Sequence, residues 1–279
     1  MFPPEDVYGY RKCLGFLSEA VANVRPARVL DVGCGTGEKL TWPLAQAHPD
    51  VRFVGADADV SSIARAREAC IAPNLEFLQL AQLRSDDRFG VIVASEVIEH
   101  VEAPIAFLRD LSSRLAPGGQ IVLTVPNGNG PSELASLLET VLALTGILGV
   151  ARAVKRAIWR RGAGSTMARD TLAVSPHINF FTWTALHRIF AVAGFSVRRY
   201  RARTLFCGLG FDLLIQTDRT AQWNADVADR VWPRCVSGWM FVLEPVSEAT
   251  VGVFRRGALS RARRWLNEKR WGLRPADPP

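Results

Sequence analysis

The sequence predicts an α/β fold: a doubly wound, mostly parallel sheet flanked by helices, carrying a helical insertion and a C-terminal extension. Three observations lead there. Short apolar runs alternate with amphipathic helical stretches over most of the first 217 residues, the pattern of repeated strand–helix units. One apolar run, Val29-Leu30-Asp31-Val32, ends directly in Gly33-Cys34-Gly35-Thr36-Gly37, where glycine lets the backbone turn tightly and lets a ligand approach it. A carboxylate, Asp57, closes the next apolar run. Ligands of open α/β sheets sit at the carboxyl ends of the strands, so the glycine loop and Asp57 border one crevice.

The glycine loop excludes some ligands by its own residues. A dinucleotide fingerprint needs glycine at position 38, where Glu38 stands, and a P-loop needs Gly-Lys-Ser/Thr, which is absent. Asp31 beside the loop repels a pyrophosphate and suits a ligand that carries an ammonium group. The expected ligand is nucleotide-like and not a pyrophosphate.

Composition fits a globular chain long enough for one large domain with additions: 279 residues, 48% hydrophobic and 22% charged. The N-terminal Met1-Phe2-Pro3-Pro4-Glu5-Asp6 lacks the basic and apolar regions of a signal peptide. Five scattered cysteines without Cys-x-x-Cys spacing favour a reducing, cytoplasmic setting and argue against a cysteine metal site. The formal net charge is +7, but the excess is local.

Taken in order, residues 5–23 read as an amphipathic helix with Leu14, Leu17 and Val21 on one face. A helix is expected over Glu38–Ala47 after the glycine loop. Val51–Ala56 is the second strand, and Asp59 or Ser61 caps a helix over Ser61–Ala69, which leaves Asp57 free to accept ribose hydroxyls. Leu75–Leu80 is the third strand and Phe89–Ala94 the fourth. Ser95-Glu96-Val97-Ile98-Glu99-His100-Val101 follows, then a helix from Pro104 with Phe107, Leu108, Leu111 and Leu115 as its apolar face. Pro117-Gly118-Gly119 reads as a turn before a fifth strand, Gln120–Val125, that ends in Pro126-Asn127.

The alternation then stops. Residues 132–161 form an insertion that begins apolar, with Leu134, Leu137, Leu138, Val141, Leu142 and Leu144, and ends basic, with Arg152, Lys155, Arg156, Arg160 and Arg161. It reads as a lid helix with a solvated basic end, or as an amphipathic segment lying on an anionic membrane surface; Glu139 argues against a span. A loop ends at His177-Ile178-Asn179-Phe180-Phe181, Thr182 caps a helix over Trp183–Ala193, and Phe195–Tyr200 and Phe211–Thr217 are the last two expected strands. Residues 218–279 have no assigned place. They hold an apolar run, Val236–Leu243, and a basic tail in which Trp265 and Trp271 alternate with arginines. That tail reads as a solvated basic helix or a membrane-surface contact; no recognised DNA or RNA module accompanies it.

The glycine loop with Asp57 resembles the cofactor loop of class I S-adenosylmethionine (SAM) methyltransferases, and Ser95 through Asn127 is similar to the quinone-biosynthesis O-methyltransferases and their bacterial relatives. The resemblance runs from about residue 25 to 217, and the segment beginning at His177 also looks like one that precedes the family's sixth strand. It implies a Rossmann-like methyltransferase fold of seven strands in the order 3-2-1-4-5-7-6, the seventh antiparallel, and a methyltransferase domain over 1–217 with its lid at about 130–176. It implies cofactor contacts from Asp31, Gly33, Cys34, Gly35, Gly37, Asp57, Ala58 and Ser95. Relatives carry an acid after the third strand to hold the adenine amino group; here Gln82 stands nearest and offers an amide oxygen instead.

Methyl transfer from a sulfonium is an in-line displacement, so alignment in a dry site is the main demand, and an oxygen acceptor must also lose a proton. His100 is the best-placed base and His177 the second candidate. Glu96, Glu99 and His100 have i, i+3, i+4 spacing, which puts all three on one side if they open a helix. Two carboxylates and an imidazole can hold a divalent cation such as Mg²⁺, and the quinone enzymes use this pattern so; Glu99 and His100 can equally pair with each other and cap the helix. The expected activity is methylation of a hydroxyl on a quinone-, polyketide- or lipid-like acceptor. A polar acceptor such as a sugar, and a SAM-binding subunit without turnover, are the alternatives. Nucleic acid is disfavoured, because Val125-Pro126-Asn127-Gly128 replaces the Asn-Pro-Pro-Tyr type motif.

Overall fold

Successive side chains of a strand face opposite sides of its sheet, and in this chain both sides are apolar and covered. The computed structural model describes residues 9–146, 177–207, 215, 217–247 and 250–271. The strands are β1 (Arg28–Val32), β2 (Arg52–Asp57), β3 (Leu75–Gln79), β4 (Phe89–Ser95), β5 (Leu115–Pro126), β6 (Phe195–Ala202) and β7 (Gly238–Pro245). The helices are α1 (Tyr10–Val24), α2 (Thr41–Ala47), α3 (Val60–Ala69), α4 (Pro104–Ser113), α5 (Pro131–Leu144), α6 (Trp183–Ala193), α7 (Asp218–Ala228) and α8 (Ala258–Trp271). Val29, Phe53, Val91, Val93 and Val122 pack against α1 and α2 on one face. Leu30, Val54, Ile92, Ile121 and Leu123 pack against α4 and α6 on the other.

The strand order is β3-β2-β1-β4-β5-β7-β6. Strands β1 to β5 pair in parallel, and β7 runs antiparallel to both β5 and β6. This is the order that the resemblance implies, with a different residue range for the seventh strand. Residues 211–214 and 216 of the expected strand lie outside the described residues, and Thr217 caps α7. The seventh strand is instead the apolar run that had no assigned place. Trp239, Met240, Phe241 and Leu243 are fully buried in it, since a strand between two others is covered on both faces. A boundary at 217 therefore separates the sheet from one of its inner strands.

Other boundaries shift for local reasons. The glycine loop continues as turns through Leu40, so α2 starts at Thr41 and not at Glu38. Leu115 belongs to β5 and not to the helix before it; Gly118, at φ 74°, lies inside that strand, where the register against β4 shifts. Asp59 caps α3 by accepting from the Ser61 and Ser62 amides, as expected. Residues 1–8 and 147–176, including the first residues of the helix expected over 5–23 and the basic run of the insertion, lie outside the described residues. None of the described helices is long and apolar enough to cross a membrane.

Candidate active site

The site begins at the end of β1. Gly33, Gly35 and Gly37 all have left-handed φ angles of 73°, 57° and 71°, a region that costs other residues energy. A Cβ on Gly33 would lie 2.5 Å from Val97, and one on Gly37 2.5 Å from the Phe77 ring. A Cβ on Gly35 would meet nothing within 4 Å. Two of the glycines are thus required by packing, while the third borders open space.

The loop amides are already partnered. Gly33 and Cys34 donate to the Ala56 carbonyl at 2.7 and 3.2 Å, and Gly35 donates to Asp57 Oδ2 at 2.8 Å. These three amides are therefore engaged within the protein. Asp57 Oδ1 accepts from the Asp59 amide at 2.8 Å, so each carboxylate oxygen keeps a lone pair for a second donor. Asp31 is buried, and Thr41 Oγ1 donates to it at 2.6 Å. Burial pushes its carboxyl up to about 7. Ala58 is exposed beside Asp57, and Cys34 is half-buried against Gly55. Gln82 Oε1 accepts from the Gln79 amide at 2.9 Å, which engages the oxygen that the sequence offered to an adenine.

The turn after β4 differs from expectation. Glu96 has φ 56°, in the left-handed region, and Ile98–His100 is a single 3₁₀ turn. The three residues Glu96, Glu99 and His100 therefore do not share a helical face. Glu96 instead pairs with Arg203 at 2.7 Å and accepts from Thr124 Oγ1 at 2.9 Å. Ser95 Oγ lies 2.8 Å from the same threonine hydroxyl. This part-buried chain ties the ends of β4, β5 and β6 together, and Arg203 stacks over Tyr10 of α1, 5.3 Å from its ring centre. Glu96 is not positioned as a metal ligand.

His177 takes its place. The Glu99 carbonyl accepts from the Ile178 and Asn179 amides at 3.0 and 2.9 Å, and Asn179 Nδ2 donates to the Val101 carbonyl at 2.6 Å. These bonds pin the segment to the 98–101 turn. Glu99, His100 and His177 then offer ligand atoms within 4.8 Å of one another. The His100 and His177 rings meet edge-on at 4.9 Å. The Glu99 carboxylate is fully buried, and neither oxygen has a hydrogen-bond partner. Burial and the charge of Glu96 raise its pKa, against the pull of His177. His177 Nδ1 is 2.8 Å from Glu133 Oε1. Burial lowers the His177 pKa, but the Glu133 hydrogen bond and the nearby carboxylates outweigh it and raise the ring to about 9.

Three residues at this cluster were not read from the sequence: Glu133 on α5, and Arg256 and Arg263 in the C-terminal extension. Arg263 is buried and bonds Glu133 Oε2 at 3.0 Å and the Glu133 carbonyl at 2.8 Å. Arg256 donates to Asn179 Oδ1 at 2.7 Å and pairs with Glu102 at 2.8 Å. Arg264 also pairs with Glu102, and with Glu268. Several arginines of the basic tail are thus matched by acids. Arg263 and Arg270 lie seven residues apart on α8, two turns along one face, while Arg256 precedes the helix; that spacing does not say which acids they meet.

Comparison with known proteins gives the same answer as the geometry. A protein-family model described as a methyltransferase domain matches residues 7–200. A ubiquinone biosynthesis O-methyltransferase of Ruegeria pomeroyi is 32% identical over 139 residues, covering 47% of this chain and 55% of that protein. Its counterpart in Cereibacter sphaeroides is 37% identical over 110 residues, covering 38% and 43%. An uncharacterised Synechococcus protein is 30% identical over 165 residues, covering 52% and 39%. The chain thus spans about half the length, or less, of these curated relatives. In fold it is similar to an O-methyltransferase of a Brevibacillus brevis polyketide synthase multienzyme solved with S-adenosylhomocysteine (TM-score 0.51, 13% identity, 97% and 82% covered). It is similar to a plantazolicin methyltransferase to the same degree (TM-score 0.51, 15% identity, 86% and 85% covered). With the β1 glycine loop, the carboxylate ending β2 and an antiparallel seventh strand on one sheet, the chain belongs to the methyltransferase-domain family of class I, SAM-dependent methyltransferases.

Proposed function

We propose that the protein moves a methyl group from SAM to a hydroxyl oxygen of a hydrophobic small molecule of quinone-, polyketide- or lipid-like character. The observation that carries this reading is the Glu99–His100–His177 cluster, set after β4 on the same edge of the sheet as the glycine loop. The ubiquinone O-methyltransferases among the sequence relatives support oxygen as the target.

The residues present fit the cofactor. Open space beside Gly35 admits a ligand against the backbone. Asp57 keeps lone pairs for ribose hydroxyls, and the buried Asp31 carboxylate gains a counter-charge from an ammonium group. When bound, SAM supplies an electrophilic methyl group whose transfer consumes the sulfonium charge. The chain's residues align the acceptor, exclude water and move the proton. His177 is charged at neutral pH, because its pKa is raised to about 9. It therefore serves as a donor that steadies charge developing on the acceptor oxygen. His100, edge-on to His177 in the same cluster, is the proposed base for the acceptor's proton.

Mg²⁺ does not fit this cluster. It prefers oxygen ligands in near-ideal octahedral geometry, whereas one carboxylate and two imidazoles converge here, with Glu96 turned away to Arg203. Methyl transfer is expected to proceed without added Mg²⁺.

The acceptor side also supports peripheral contact with an anionic membrane. Leu134, Leu138, Val141 and Leu144 are exposed along α5, and Leu259 and Trp265 along α8, with Arg261 and Lys269 exposed beside them. Apolar and cationic residues together are what an interfacial helix presents.

The test is transfer of labelled methyl from SAM to a panel of catechols, phenols and hydroxylated polyketides. Methyl ethers are the expected products. His100→Ala should lower turnover by about 10²–10⁴-fold with SAM affinity unchanged. Methylation at nitrogen or carbon, or an unaffected His100→Ala enzyme, would overturn the reading.

A further inference from the structure

We propose that Arg263 is a positioning residue for methyl transfer: from the C-terminal helix it fixes Glu133, and through Glu133 it holds the His177 ring toward Glu99 and His100. The proposal rests on the reading that the Glu99–His100–His177 cluster meets the acceptor.

A histidine ring can flip, and the hydrogen bond at one nitrogen decides where the other points. Here Glu133 Oε1 lies 2.8 Å from Nδ1. That leaves Nε2 toward Glu99, 4.0 Å from its Oε1. Glu133 is the controlling partner, yet it sits in the first turn of α5, from which a glutamate can swing to water. What prevents this is Arg263. One guanidinium nitrogen holds both the Glu133 carboxylate and its carbonyl. Another donates to the Gly128 carbonyl. The guanidinium plane lies over Phe180, 4.1 Å from the ring centre. One planar cation thus joins the loop after β5, the first turn of α5 and the segment that carries His177. Lysine, a point charge on a flexible stem, cannot reproduce three directed contacts and a stacking face.

The helix that carries Arg263 is registered to do this. On α5, Glu133 and Thr140 are seven residues apart; on α8, so are Arg263 and Arg270. Arg263 meets Glu133, and Arg270 donates to Thr140 at 2.8 Å. Two pairings of equal spacing and the same direction set α8 alongside α5 in parallel. Asn267, between the two arginines, reaches the His177 carbonyl at 3.4 Å. The residue that aims the imidazole therefore comes from an element far along the chain from every residue that touches the acceptor.

The experiment reads the His177 ring directly and needs no acceptor. A ring N–H held by a buried carboxylate and shielded from exchange gives a far-downfield proton resonance, assigned by its loss in His177→Gln. The expected result is that Arg263→Gln and Glu133→Asp each abolish it while the protein stays folded and binds SAM. Arg270→Ala, which loosens α8 elsewhere, should retain it. Persistence of the resonance in Arg263→Gln would overturn the proposal, as would its absence from the wild-type protein. Loss in Arg270→Ala would overturn it too, by showing that docking of the helix in general holds the ring. Should Arg263→Gln fail to fold, Glu133→Asp against Arg270→Ala still decides whether the bond depends on this link or on helix docking. If the resonance behaves as expected but His177→Gln methylates normally, the positioning stands and the reading of the cluster as the acceptor site falls.

Discussion

Glycines 33, 35 and 37 share one backbone conformation and differ in what their missing side chains leave room for. Left-handed backbone costs a non-glycine residue about 1–2 kcal/mol, so alanine at any of them is penalised. Gly37→Ala also drives a methyl into the Phe77 ring, and such overpacking adds about 1–3 kcal/mol. Gly35→Ala meets open space and pays the backbone penalty alone. Gly37→Ala should therefore lower the melting temperature more, while Gly35→Ala should weaken SAM binding more for the stability it loses, as thermal unfolding and titration calorimetry would show. Asp31 gives a pH prediction. Its carboxyl is raised to about 7 by burial, so it is mostly protonated at pH 6 and ionised at pH 8. An ammonium ligand favours the ionised form, so SAM affinity should rise about tenfold between those values, and Asp31→Asn should flatten the profile. For the ligand-free protein the sign reverses. A raised pKa stabilises below the ordinary carboxyl range, and that stability is lost as pH rises through 7.

At the scale of elements, local grammar was readable where it was self-contained. The Asp59 cap, the Thr182 cap, Gly194 ending α6 and the apolar β1–β4 runs all lie where their residues place them. The Glu96–Glu99–His100 triad failed because i, i+4 spacing carries meaning only on a helix, and Glu96 in the left-handed region opens a 3₁₀ turn instead. The pairing of α5 with α8 was hidden for another reason. Glu133 and Arg263 are 130 positions apart, and no periodicity within either helix says which acid an arginine will find. The basic tail looked like surplus charge because, Glu268 aside, its described counter-charges lie in other elements. What α5 and α8 leave unmatched is their outer face. Vesicles with anionic lipid should therefore bind the protein more than neutral ones, and Leu138→Glu together with Trp265→Glu should reduce that binding in co-sedimentation. Equal binding to both vesicle types would remove the membrane from the account.

At the scale of the molecule, the sheet depends on residues beyond 217. A chain ending there lacks β7, which pairs β5 over Ile121–Pro126 and β6 over Phe195–Ala202. It would leave two strands with open edges and an uncovered apolar surface. Expression of residues 1–217 should give aggregated protein without SAM affinity, whereas a soluble, SAM-binding fragment would show that the sheet closes without β7. The order of the strands also bears on how the protein is made. Synthesis proceeds from the N-terminus, so β6 leaves the ribosome before the strand that must lie between it and β5. The first five strands can assemble as they emerge, but β6 has no neighbour to pair with until Pro245 has followed. Closure of the sheet beyond β5 therefore waits for β7, the strand that joins β6 to the rest. Until then β5 keeps an open edge, a template on which another chain can pair.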